Sequence, residues 1–272
     1  MNVNWIVKLV IITVCFSNLV QAYENVTVTI YTEHFPPYNF RDGDKIKGIN
    51  HDIVARACEV AGIKCKFKMY PWQRAMALSL SKRFAGLVST SRLPDREAHF
   101  QWVGPLVSSP ACFYKLAHRS DIHINSKQQL NNYTVGLNKG DVYEHVLQNW
   151  GMQENVNYVI YSEKFGEVDA FKKGKLDLFI ASANTLQYHI DSDRLALHEV
   201  EPVFVISDEA LLGNYLALNL AMPIEIVEKL QNALVELKQS NEIQLIKKRY
   251  IPTAQSVISE SELSLAKRCI YG

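Results

Sequence analysis

The stretch GINHDIVARACEVAGIKCKFKM, residues 48–69, decides the fold. Ile49, Ile53, Val54, Ala57, Val60 and Ala61 recur at three- and four-residue spacing, which predicts a helix with one apolar face. Gly62 stands where helices commonly end in a left-handed residue. Directly after it, Cys65, Phe67 and Met69 alternate with Lys64, Lys66 and Lys68, the two-residue period of a strand. Upstream, Val26-Thr27-Val28-Thr29-Ile30 alternates in the same way and supplies a preceding strand. Between them lies the loop Thr32-Glu33-His34-Phe35-Pro36-Pro37-Tyr38, stiffened by two prolines that donate no backbone N–H. A hairpin signal follows at Arg41-Asp42-Gly43-Asp44. Downstream, Pro71 opens a helix in its first turn with Trp72, Ala75, Met76 and Leu80 along it, and Gly86-Leu87-Val88 reads as a short buried strand. A strand–helix–strand–helix–strand series predicts an α/β fold, a mostly parallel sheet with helices on both faces.

The pattern then restarts. Residues 133–137, 158–161 and 176–180 read as strands. Asp141 begins a helix, with Glu144 three residues on as a variant of the capping box. Residues 168–173 form a short helix closed by Gly174, and Asn184 onward is helical. Two amphipathic helices, 224–237 and 242–250, have no strands of their own and should pack back on the first unit. The expected organisation is a lobe of residues 23–110 and 204–272, discontinuous in sequence, and a second lobe of 111–203. Crossovers are expected near 106–112 and 202–207.

Residues 1–22 carry one charge, Lys8, then an apolar run over 9–16 and a small residue, Ala22. This reads as a cleaved secretory signal peptide and a periplasmic location. The run is short for a bilayer span, and an uncleaved anchor is the alternative. The whole chain has 29 basic and 28 acidic side chains, so removal of Lys8 leaves 28 of each. That balance speaks against nucleic acid as a partner and against a polybasic membrane anchor. Cys15 lies in the signal. Cys58, Cys65, Cys112 and Cys269 make an even set in an exported chain, which predicts disulfides with three possible pairings. Cys58 with Cys65, at the helix-to-strand turn, is the first choice. No sequence rule brings Cys112 to Cys269. A metal site is the alternative for the four, without CxxC or His-rich spacing to support it. No GxSxG, HExxH, P-loop or dinucleotide fingerprint occurs. Glu33, His34, Asp141 and His145 are the residues from which an acid–base pair would have to be assembled. The expectation is a binder that performs no chemistry and needs no cofactor.

A set of marks runs through the chain: Gly48-x-x-x-Asp52-Ile53; Ser89-Thr90-Ser91 followed by Arg96; Phe100 and Gly104-Pro105-Leu106; Val135-Gly136-Leu137-x-x-Gly140; Gly174-x-x-Asp177; and Lys248-Arg249-Tyr250. In order and spacing they resemble the bacterial extracellular solute-binding proteins of family 3, over nearly all of the exported chain. The resemblance implies the two-lobed type II periplasmic-binding fold. Its cleft closes by a hinge on a small polar or anionic molecule, amino-acid-like or a derivative, for delivery to an ABC transporter. A sensor input for a membrane receptor is the alternative, and a dehydratase-like enzyme of the same fold a more remote one. A monomer is expected.

By the same resemblance Arg96 grips a ligand carboxylate, as a forked guanidinium can. Ser89 and Ser91 assist it, and Arg92 competes for the task. Asp141 follows Gly140 where many members carry Ser or Thr; it either caps its helix or meets a cationic group. Ser182 stands where many members carry an Asp for the ligand ammonium, which speaks against an ordinary amino acid. Glu33, Tyr38 and Trp72 would hold the far end of the ligand, Trp72 or Tyr38 by stacking. Trp72 serves equally well as core filling, and Arg74 either lines the cleft or faces solvent. The Cys58-to-Cys65 spacing also resembles a disulfide of some members.

Overall fold

The computed structural model describes residues 26–163, 165–192, 194–251, 265, 269 and 270. The expected signal peptide and Cys15 lie outside the described residues.

β1 (Thr27–Thr32) pairs in parallel with β4 (Lys64–Met69) on one side and β5 (Ala85–Ser91) on the other. Helix α1 (Ile49–Val60) connects β1 to β4 after the hairpin β2 (Phe40–Asp42) and β3 (Lys45–Lys47). Its end shows why Gly62 is there. Gly62 adopts φ 67°, its N–H bonds the Glu59 carbonyl, and the Ile63 N–H bonds the Cys58 carbonyl at 2.9 Å. This is the two-bond Schellman closure, which a glycine accepts without steric cost. It turns the chain straight into β4 and brings Cys58 to Cys65, which form a disulfide with Cα atoms 6.2 Å apart. Helix α2 (Trp72–Ser81) leads from β4 to β5.

Two further strands complete this sheet, β12 (Asn214–Asn219) and β6 (Phe100–Val103), in the order β4-β1-β5-β12-β6. β12 is antiparallel to both its neighbours, so the other four strands all point one way. The second sheet repeats the arrangement in the order β11-β7-β10-β8-β9. β8 (Val135–Asn138), β9 (Tyr158–Tyr161) and β10 (Leu178–Ser182) are parallel, and β7 (Ala111–Leu116) is the reversed strand between β10 and β11 (Val200–Ile206). The helices that follow the second-lobe strands are α4 (Val142–Asn149), α5 (Gly166–Lys172) and α6 (Ala183–Asp191). Short α3 (Pro94–Glu97) follows β5. Helices α7 (Ile224–Gln239) and α8 (Glu242–Tyr250) bury Ile226, Leu230, Leu234, Leu237, Ile243 and Ile246 in the first-lobe core with Val28, Ile30 and Ile53. No described helix is long and apolar enough to cross a membrane.

The chain passes between the lobes at residues 104–110 and 207–213. The two passages bond each other: Leu106 N–H to the Asn214 carbonyl at 2.7 Å, and Asn214 N–H to the Val107 carbonyl at 2.9 Å. The second passage lies later than the sequence reading places it. Residues 200–206 are a strand, and Ala210 and Leu211 still pack on the second-lobe core. Pro202 reads as loop, yet it sits at a bulge in the edge strand β11, where a missing N–H is tolerated. Among the described residues beyond 251, Leu265, Cys269 and Ile270 also depart from a first-lobe assignment of 204–272. Cys269 is buried in the second lobe, bonded to Cys112, with Leu265 and Ile270 packed nearby.

Candidate functional site

Between the lobes lies a cleft with a cavity volume of about 140 Å³. A single water needs about 10–15 Å³ of such space, so the cleft has room for a small solute. Glu33, Tyr38, Trp72, Ser89, Ser91 and Arg96 line it from the first lobe, and Gly140, Asp141 and Ser182 from the second. Their places share one cause. Glu33 and Tyr38 follow β1, Trp72 opens the helix after β4, and Ser89 and Ser91 end β5. Gly140 and Asp141 follow β8, and Ser182 ends β10. All are at the carboxyl ends of parallel strands, where loops of an open α/β sheet form crevices.

Arg96 is half-buried, its guanidinium 5.4 Å from the Trp72 ring centre and its Nη1 donating to the Ser91 carbonyl at 3.4 Å. Burial lowers its pKa from the ordinary value, against the opposing charge of Asp95. Among the described residues no ion pair holds it. Arg92 differs. It forks onto both oxygens of Glu97, at 2.7 and 2.5 Å, and lies outside the cleft lining beside Trp102 and Tyr215. Arg74 also lies outside it, over the Tyr70 ring at 4.5 Å.

Ser89 is buried and left-handed, φ 63°. Its Oγ accepts from Asn39 Nδ2 and Asn50 Nδ2, both at 2.7 Å. Ser182 caps α6: its Oγ accepts from the Thr185 N–H at 3.2 Å, and Thr185 Oγ1 accepts from the Ser182 N–H at 2.9 Å. The helix therefore starts at Ala183, one residue before the expected start. Tyr38 is 3 % exposed, and its hydroxyl lies 3.3 Å from Ser182 Oγ and accepts from Asn184 Nδ2 at 3.2 Å. Tyr38, expected to stack on a solute, thus makes a contact that spans the lobes. Trp72 spans them too. Gly140 has φ 83°, and a Cβ on it would come 3.0 Å from Trp72 Cδ1, so this turn takes glycine for both conformation and closeness.

Asp141 is the N-cap residue of α4 by position, but its side chain makes no capping bond and no capping box forms with Glu144. The Glu144 side chain instead accepts from Gln148 at 3.3 Å. Of the four acid–base candidates, Glu33 and Asp141 line the cleft, whereas His34 and His145 lie outside its lining, His145 Nε2 3.0 Å from Asn149 Nδ2. Among the described residues no group of three His, Cys, Asp or Glu could hold a metal ion.

The cleft also contains residues that the sequence reading passes over: Lys139, Tyr143, Phe165, Glu167, Phe179, Thr185 and His189. One signal for them exists. Ser182, Thr185 and His189 are spaced three and four apart, one polar face of a helix that starts at a strand end. Glu167 is buried in the first turn of α5, and a Cβ on Gly136 would come 2.9 Å from its Cβ. Nothing in its neighbourhood in sequence announces that.

The family profile of the bacterial extracellular solute-binding proteins, family 3, matches residues 27–253. No curated protein sequence matches the chain. Among solved structures, an ancestral arginine-binding protein bound to arginine is 20 % identical over 82 % of this chain and 97 % of its own, TM-score 0.66. A histidine kinase sensor domain with similarity to periplasmic binding proteins is 18 % identical over 83 % and 96 %, TM-score 0.69. A substrate-binding protein of an amino acid ABC transporter is 16 % identical over 84 % and 100 %, TM-score 0.65. At these identities the likeness is one of fold.

Proposed function

We propose that this chain, which belongs to the bacterial extracellular solute-binding proteins of family 3, closes its cleft on a small polar or anionic solute, amino-acid-like or a derivative, and delivers it to an ABC transporter. The observation that carries the reading is the contrast between two arginines four residues apart. Arg92 is bonded to Glu97, while Arg96 faces the cleft, half-buried and without an ion pair among the described residues. A guanidinium shielded from water and left without a counter-ion is poised for a ligand carboxylate, which it meets with two parallel hydrogen bonds. Ser91 stands beside it, and Asp141, which does not cap its helix, faces the same space with Glu33. Closure follows when the solute binds the closed form better than the open one. The reading is of binding alone, by an exported protein whose residues 1–22 direct it to the periplasm.

The test is a thermal-shift screen of the exported form with amino acids, small organic acids, polyamines and nucleobase derivatives. A compound in excess of its Kd raises the midpoint by mass action. Arg96→Ala should then weaken binding of the active compound about 10-fold or more, from about 1.5–3 kcal/mol for hydrogen bonds to a charged group. An unchanged affinity removes Arg96 from the site. The fold likeness to a kinase sensor domain keeps a receptor as the second reading of the closed form. Solute-dependent stimulation of a permease ATPase, rather than of kinase autophosphorylation, separates the two.

A further inference from the structure

Tyr38 belongs to one lobe and is bonded to the other. Its ring packs in the first-lobe core, 5.0 Å from the Phe35 ring. Its main chain is pinned at the start of α1: the Tyr38 carbonyl accepts from the N–H groups of Asn50 (3.0 Å) and His51 (3.3 Å). Gly48, φ 134°, is glycine at this point because a Cβ would collide with the Tyr38 carbonyl and come 2.8 Å from the Asn39 nitrogen. The residue is therefore a rigid post.

Its hydroxyl reaches an equally rigid partner. Ser182 is fixed by its reciprocal bonds with Thr185. Asn184 is 2 % exposed, and its N–H donates to Ser109 Oγ in the first passage between the lobes at 3.3 Å. Burial raises the Tyr38 pKa although its bonds with Ser182 and Asn184 oppose it. Among the described residues these partners are all neutral, so the seam is a cluster of hydroxyl and amide groups.

We propose that Tyr38 is a closure residue: its hydroxyl docks the first lobe onto the Ser182–Asn184 turn of the second and sets the balance between open and closed forms before any solute arrives. Opening the cleft has to break these bonds. A neutral hydrogen bond weights such an equilibrium by about 2–10-fold. A solute that needs the closed form then binds more weakly in proportion to the closed fraction lost, so Tyr38 tunes affinity through the conformational balance.

Tyr38→Phe removes one oxygen and keeps the packed ring. The lobe separation is read without solute, from spin labels on Gln73→Cys in α2 and Gln148→Cys in α4, whose helices begin at the two lips of the cleft. The native Cys58, Cys65, Cys112 and Cys269 are paired, so only the added thiols take label. The expected result is a 2–10-fold rise in the open-to-closed ratio for Tyr38→Phe. A similar rise is expected for Asn184→Ala, with less than the product of the two in the double variant. The proposal is overturned if both variants keep the wild-type distance distribution, even with a lower melting temperature, because the contact is then structural only. It is equally overturned if the solute-free wild type has no closed population. Neither outcome depends on the solute screen, so a silent screen leaves this test intact.

Discussion

Replacing Ser89 sets two effects against each other, and their sizes decide the sign. Its φ of 63° is left-handed, which costs an L residue about 1–2 kcal/mol. Glycine at this position would recover that cost. Against it stand the two bonds that Ser89 Oγ accepts from Asn39 and Asn50, both side chains fully buried. Without the oxygen, two amide N–H groups lose their acceptor, at about 1–3 kcal/mol each. At mid-range the loss exceeds the gain by about 2–3 kcal/mol, so Ser89→Gly should be less stable than the wild type. Ser89→Ala loses the same bonds and keeps the strain, so it should lie a further 1–2 kcal/mol or so below the glycine variant. Urea unfolding at 25 °C measures both differences, as shifts in midpoint at constant m. The expected order is wild type, Gly, Ala. A Gly variant more stable than the wild type would show that the two amides find other acceptors and that strain dominates. An Ala variant as stable as the Gly variant would show that Ser89 is not left-handed in solution.

The two disulfides should differ in what they contribute. Closing a separation of 7 residues (Cys58–Cys65) against 157 (Cys112–Cys269) gives about 2.5 and about 5 kcal/mol by chain-entropy reasoning. Replacing the second pair by Ser and Ala should therefore cost about twice as much in urea unfolding, and the reverse order would contradict this. A pH prediction rests on the Tyr250 hydroxyl, which donates to Asp52 Oδ2 at 2.6 Å. Burial alone would raise Asp52, but hydrogen bonds from His51 and Tyr250 and the charges of His51 and Arg249 more than offset it and lower its pKa. Its contribution to stability is thus complete above the ordinary carboxyl value of about 4 and is lost as pH falls through the lower folded value. Burial and the Asp52 carboxylate push Tyr250 up to about 12. Its contribution is complete below the ordinary tyrosine value of about 10 and is lost as pH rises through about 12. Tyr250→Phe should remove one late-ionising phenol from an ultraviolet titration and start acid unfolding at higher pH. Unchanged curves at both ends would show that the Asp52–Tyr250 bond does not form.

The legible parts of this fold are those where one face of an element meets water. Residues 48–69 show both periods because α1 and β4 are covered on one side only, and Gly62 marks their junction. β7 is buried along its whole length, including Lys115, whose Nζ donates to the Arg119 and Ile122 carbonyls. It therefore carries no alternation to read. β12 is likewise mostly buried, and these two are the reversed strands of their sheets, beside the passages between lobes. Missing them moves the boundary of the second lobe and hides the return of Cys269. The place of the cleft was legible for a different reason: strand ends are found from the strands, and all nine candidate residues lie at such ends or follow them. Their tasks were not, because a side chain's type does not say which partner takes its hydrogen bonds. Ser89, Ser182 and Tyr38 look alike in sequence as hydroxyls free for a solute. In the structure each is bonded to the protein, and two of the three are bonded to each other across the lobes. The arginines make the same point with charge. Asp95 and Glu97 flank Arg96 in sequence, yet the turn of α3 carries Glu97 back to Arg92. The arginine nearest to the acids along the chain is the one left facing the cleft, and only the path of the backbone decides that.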